Sequence, residues 1–243
     1  EETQIKAPFL NSSNDSFKKG EWLKFRLHYG FFNASYASLS LEEEILKNEV
    51  IYKATAIGRT TGIARFFFKV DDIYETYFNK THVKPLRSTR NISEGGYTKN
   101  VEINYDYLNN TANITDIKNS KLSSVSIQKN VQDLISTFYY LRNHFDIGNL
   151  KKNDFIKIII FFDADNYDFK MQFLGLEDVE TKFGVVNCFK FRPYIESGRV
   201  FKDSESLTLW VSNDRNKIPI KVKAGLRIGS IEADLEQFKG LKF

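Results

Sequence analysis

Apolar and polar positions alternate with a period of two through most of the chain. Leu23, Phe25, Leu27 and Tyr29 alternate with Lys24, Arg26 and His28, which predicts a half-buried strand with a basic outer face. A second strand is expected through Ala34, Tyr36, Leu39 and Leu41, and a third over 50–57. After the Gly58–Gly62 loop, Phe66-Phe67-Phe68 leads into a strand through Ile73, Tyr74, Tyr77 and Phe78. Pro85 marks a strand start or an edge. Val101, Ile103, Tyr105 and Tyr107 alternate again, and a short strand follows at 112–117. Residues 155–162 are almost continuously apolar, the signature of a strand covered on both faces. A hairpin pair over 167–174 and 185–191 and strands at 207–212, 218–223 and 228–235 complete the series. Pro219, Lys221 and Lys223 share one face, a pattern that protects sheet edges.

One stretch breaks the period. From 130 to about 146, Val131, Leu134, Ile135, Phe138, Leu141 and Phe145 recur at three- and four-residue spacing, as on one face of a helix. Asn130 is the expected N-cap, and Asp133 stands three residues on, as in a capping box. About a dozen short strands with one helix predict a mainly β protein: a curled antiparallel sheet, or a partial or closed barrel, with the helix packed on or into it. Residues 1–19 read as an extended arm and 20–243 as a single domain, since no linker or repeat divides the chain.

Composition refines this picture. Twenty-two Phe and twelve Tyr against one Met indicate an aromatic β core. The +4 net charge comes from 35 basic and 31 acidic residues, too balanced for a nucleic-acid binder. No apolar run approaches the roughly 18 residues of a membrane-spanning helix. The sequence starts with Glu1 rather than Met, so a processed chain that has lost its leader is expected. The lone Cys188 excludes an internal disulfide and lies in an apolar strand as a core residue.

Candidate chemistry is sparse. His28, His82 and His144 are far apart in sequence without metal-ligand spacing, and no nucleophile elbow, phosphate loop or dinucleotide fingerprint occurs. Asp163-Ala164-Asp165 reads as a solvated turn rather than a carboxylate dyad or calcium loop. No metal, cofactor or catalytic residue is therefore expected. Arg142 falls within the apolar stripe, where it must find a carboxylate or carbonyl partner, or else hold an anionic ligand group in a cavity. In a strand, Phe66, Phe67 and Phe68 cannot all face the core, so they are either covered by another segment or form a docking surface with Phe31 and Phe32.

Several segments in order resemble a bacterial exported-protein family, domain of unknown function 3108. They are Phe25-Arg26-Leu27-His28-Tyr29-Gly30, Phe68-Lys69-Val70-Asp71-Asp72, Arg90-Asn91-Ile92-Ser93-Glu94-Gly95-Gly96-Tyr97 and Asp133-Leu134-Ile135-Ser136. Leu209-Trp210-Val211-Ser212-Asn213-Asp214 and Ile218-Pro219-Ile220-Lys221-Val222 continue the series. The resemblance runs from about Glu21 to the C-terminus and implies an antiparallel β protein of the bacterial envelope, in the periplasm or at the outer membrane. It carries no activity to transfer. Together these features predict a non-catalytic module that binds an apolar or lipid-like ligand, with a subunit docking on outer-membrane proteins as the alternative and a glycan or lipid enzyme third.

Overall fold

The computed structural model describes residues 5–6, 16–195, 207–226 and 229–243. In chain order the elements are β1 (Ile5–Lys6), β2 (Trp22–Tyr29), β3 (Phe32–Leu46), β4 (Glu49–Thr60), α1 (Gly62–Phe67), β5 (Asp71–Phe78), β6 (Pro85–Glu94), β7 (Tyr97–Asp106), β8 (Thr111–Asp116) and β9 (Lys121–Ser126). There follow α2 (Leu134–His144), β10 (Phe155–Phe162), β11 (Asp165–Thr181), β12 (Gly184–Ile195), β13 (Leu207–Ser212), β14 (Pro219–Gly225) and β15 (Ser230–Lys239). All strands belong to one sheet, ordered β1-β10-β11-β12-β13-β14-β15-β2-β3-β4-β5-β6-β7-β8-β9. Every pairing is antiparallel except the two-residue contact of β1 with β10. The mainly β, curled-sheet expectation holds, with fifteen strands among the described residues.

The sheet is thus two meanders, β2–β9 and β10–β15, joined by the ladder between β15 and β2. It rolls up without a ladder closing the far side. Instead it overlaps itself. Ile156, Ile158 and Ile160 of β10 point into the shell and join the main core. Phe161 and Ile159, on the opposite face, are covered by Val101, Ile103, Tyr105 and Ala112 of β7 and β8. One face of the apolar run 155–162 is therefore largely buried in the main core, and on the other Phe161 is buried and Ile159 half-buried under the sheet's own far end. Polar contacts bind this seam: Gln132 exchanges hydrogen bonds with the Ile159 carbonyl and the Phe161 amide at 2.9 and 2.7 Å. Arg90 meets Asp163 at 2.7 Å.

Helix α2 enters at the seam. Its N-cap is Asp133, not Asn130, and Ser136 completes the capping box. Asn130 has a φ of 59° and lies outside the helix. The helix runs inside the shell along β4, β5 and β10. A helix surrounded by protein must be largely buried all round, and Ser136, Thr137, Tyr139, Tyr140, Arg142 and Asn143 all are. The less buried positions are Leu134, Phe138 and Leu141, at i, i+4 and i+7 on one face. That face belongs to the expected apolar stripe, so the stripe is not the most deeply packed side.

Two further expectations need correction. Phe66 and Phe67 lie in helix α1 with Phe68 as its C-cap, not in a strand. The lysines at 221 and 223 do not guard an edge, because β14 pairs on both sides and they neutralise Glu232 and Asp234 of β15. Within the stretch 1–19, Phe17 is fully buried, with its ring 4.8 Å from that of Tyr139.

Candidate functional site

The inward-facing side chains fall into two tiers. Around the C-terminal half of α2, the inward residues Leu23, Leu41, Ala54, Phe78, Ile156, Met171, Phe191 and Ile220 are all buried. Phe17 fills the end of this tier beside Tyr52, Phe78 and Tyr139. One step along each strand the pattern changes. Phe25, Leu27, Ala37, Ala56, Tyr74, Phe162, Phe169, Leu209 and Val222 still face inward by strand alternation, yet all are only half-buried. Beyond them Tyr29 and Ile231 are exposed.

The physical reason is volume. A shell of so many strands is wider than its own side chains can fill. Helix α2 fills one half. In the other half the walls carry many small residues, with Ser35, Ala37, Ala56, Gly58, Ala224 and Ala233 taking inward positions. Among the described residues, the result is an apolar cup open at the end of the shell opposite the helix C-terminus. Its floor includes Leu134, 44% exposed, and Phe138. Among the described residues, the charged groups of this inner wall lie on the β5–β6 side. There Arg90 binds Asp163 and lies 4.6 Å over the Phe162 ring, and Asp72 accepts from the Ser93 amide at 2.9 Å.

Among the described residues, the tips of several elements rim the mouth. The β2–β3 turn carries Phe31, 103% exposed, and Phe32. Helix α1 presents Ile63, Phe66 and Phe67, all at least 79% exposed. It sits beside the start of β3, where the Thr61 amide donates to the Ala34 carbonyl at 3.1 Å. Phe68 lies on the β6–β7 turn, where Gly95 has a φ of 52° and a Cβ would stand 2.4 Å from the Phe68 ring. Phe66 and Phe67 are therefore uncovered by any described segment, and Phe68 is partly covered by the β6–β7 turn. Nothing in the sequence alone tied them to the mouth of a cup.

Arg142 stands at the opposite, closed end. Its two terminal nitrogens meet both oxygens of Glu21 at 2.7 Å, and a third and fourth bond run to the Ser16 and Asn216 carbonyls. The Ser16 hydroxyl in turn donates to the Arg142 carbonyl, and Lys217 Nζ donates to the Arg142 and Phe145 carbonyls at the helix C-terminus. The guanidinium is engaged by protein on all sides, the arrangement of a structural arginine.

The remaining titratable groups are dispersed. Asp163 belongs to the β10–β11 turn; against the cost of its burial, Lys99 and Arg90 hold it below the usual carboxylate range. Burial pushes the Cys188 thiol up to about 12. His82 is exposed on the β5–β6 turn, and His144 is buried against Tyr140 with its pKa lowered by burial. His28, Glu232 and Asp234 are the one set of described residues with metal-ligand spacing. They lie on the outer face, where Arg26, Lys221 and Lys223 already compensate the carboxylates, and Glu232 is held at about 2 despite partial burial.

Asp133 is the exception to this dispersal. Burial pushes its carboxyl up to about 6, although Ser136, Thr76 and Ile135 all donate to it. The native state then keeps this proton to about pH 6, whereas an unfolded Asp releases it near pH 4. Acidification from pH 7 to 4 should therefore favour the native protein over an Asp133→Asn variant by up to about 3 kcal/mol. Urea unfolding of both proteins across that range measures it, since all other groups cancel in the difference. A difference that stays flat with pH would show that Asp133 ionises like an unburied aspartate.

Fold and site together define a rolled, barrel-like antiparallel shell with an internal helix and an open apolar cup. The family model for a protein of unknown function, DUF3108, matches residues 24–236, and the chain belongs to that family. Among solved structures, it is similar to a beta-barrel-like protein of domain of unknown function DUF1849 from Brucella abortus. That match has a TM-score of 0.56 at 12% identity, over 98% of this chain and 99% of that one. A second structure, described as a "putative lipoprotein" from Parabacteroides distasonis, aligns over 96% of this chain and all of the other, at 12% identity and a TM-score of 0.35. No curated protein matches the sequence. At these identities the first likeness speaks for the fold alone.

Proposed function

We propose that the protein is a non-catalytic binding module of the bacterial envelope, and that its cup takes an apolar or lipid-like ligand. The observation that carries this reading is the half-burial of a whole tier of inward apolar side chains, from Phe25 and Ala56 to Leu209 and Val222. Leaving so much apolar surface open inside a shell weakens folding, because burial of such surface is worth about 25 cal/mol per Å². A ligand that covers it recovers this stabilisation. Apolar walls with few charges favour acyl or other hydrocarbon groups over sugars or peptides. No nucleophile–base pair converges on the cup among the described residues, which supports binding rather than catalysis. The envelope setting is the one the family resemblance implies.

The test is uptake of an environment-sensitive naphthylamine dye and its displacement by a long-chain fatty acid. Saturable binding by the parent protein is expected. Gly58→Trp places a bulky ring where an added Cβ would meet nothing within 4 Å, and should weaken dye binding at least tenfold while leaving the melting temperature unchanged. Absence of saturable uptake, or equal affinity in the Trp variant, would remove the cup as a binding site.

A further inference from the structure

We infer that the aromatic end of the shell seats on an anionic lipid bilayer, so that the mouth of the cup opens onto the acyl-chain layer. This rests on the cup being a binding site, but the surface can be tested separately.

Three observations converge on a lipid surface. The first is the form of the patch. Phe31, Phe32, Ile63, Phe66 and Phe67 project from the tips of a turn and a six-residue helix that buries none of its residues. Such knobs enclose no groove that a peptide could fill, and closed turns offer no free strand edge for a partner strand. Projecting phenylalanines suit the soft boundary between headgroups and acyl chains.

The second is charge. Directly beneath α1, Arg59, Arg65 and Lys69 surround a single carboxylate, Asp71, at 3.8, 2.7 and 3.6 Å. Arg59 and Lys69 remain largely exposed, so cations flank the aromatic knobs where lipid phosphates would lie. Two acids on the adjoining strands, Asp72 and Glu94, share a hydrogen bond with each other, and Asp72 is turned inward and buried.

The third is continuity. The same end carries Tyr29 and Ile231, the outermost inward-facing residues of the cup. Tyr29 lies against the turn at Gly229, which brings the β14–β15 tip into the rim. A hydrocarbon chain leaving a bilayer under α1 would pass from the knobs to the cup wall without crossing water.

The experiment is flotation of the purified protein with vesicles of phosphatidylethanolamine and phosphatidylglycerol, set against vesicles of phosphatidylcholine alone. The Phe66→Ser/Phe67→Ser double variant should lose at least tenfold in partitioning, yet melt like the parent and bind the dye unchanged. Arg59→Gln/Lys69→Gln should lose several-fold on the anionic vesicles and little on the neutral ones. Gly58→Trp should still float, which separates failure of the surface from failure of the cup. A parent protein that binds neither vesicle, or a serine variant that binds as well as the parent, would overturn the inference. Recognition of a membrane protein but not of bare lipid would overturn it too.

Discussion

Replacing Arg142 by Met is expected to destabilise the protein by about 3–5 kcal/mol, because it strands Glu21 as an unpaired buried carboxylate. Arg142 and Glu21 are 2% and 1% exposed. In that setting loss of one partner costs far more than the pair itself contributes. The pair also holds separate parts of the chain together, since the same guanidinium binds the Ser16 and Asn216 carbonyls. Urea unfolding of Arg142→Met, Glu21→Gln and the double variant makes the test specific. Removing both charges should cost clearly less than the sum of the single losses, because each single variant strands the other partner and the double variant strands neither. A single Met variant that unfolds at the parent's urea concentration would show that Arg142 is not a structural keystone.

A loss of similar size, about 3–5 kcal/mol, is expected for Tyr139→Ala, which empties the centre of the filled tier. Tyr139 is fully buried among Phe17, Phe78 and Phe138, with ring separations of 4.8, 5.3 and 4.9 Å. Its hydroxyl, however, is buried without a hydrogen-bond partner. Tyr139→Phe should therefore be neutral or add about 1 kcal/mol, by sparing that group its desolvation. On the same helix, Leu134→Ala should cost about 1 kcal/mol or less, since Leu134 faces the open half of the shell. Thermal melts of the three variants give the order. If Leu134 and Tyr139 cost the same, the two-tier division of the interior is wrong.

The strands were legible because period-two alternation records a sheet with one apolar and one polar face, as in the run from Leu23 to Tyr29. The helix was legible from its three- and four-residue spacing. Its environment was less so: Phe138-Tyr139-Tyr140-Leu141 is apolar on more than one side, as a helix inside a shell must be, but the eye follows the stripe. Helix α1 left almost no trace, because six residues rich in β-favouring phenylalanine carry no helical period. The cup depends on register. Ala37 and Ala56 become one patch only when Leu39 is known to pair with Ala56 and Ala37 with Gly58. The partner of Arg142 lies 121 positions away, beyond the reach of any local pattern.

The joining of the two meanders has a consequence for how the chain is made and finished. His28 and Asp234, bonded across the β2–β15 ladder, are separated by 206 positions. A chain emerging from its N-terminus must therefore carry β2 unpaired on that side until β15 has been made. Closing so long a loop has a high entropic cost, and contacts of this kind slow folding. Far apart in sequence, β2 and β15 lie side by side in the middle of the sheet, whereas β1 and β9 lie at its margins. A chain without β15 would lose the join between its two meanders, so the shell cannot be assembled until that strand is available.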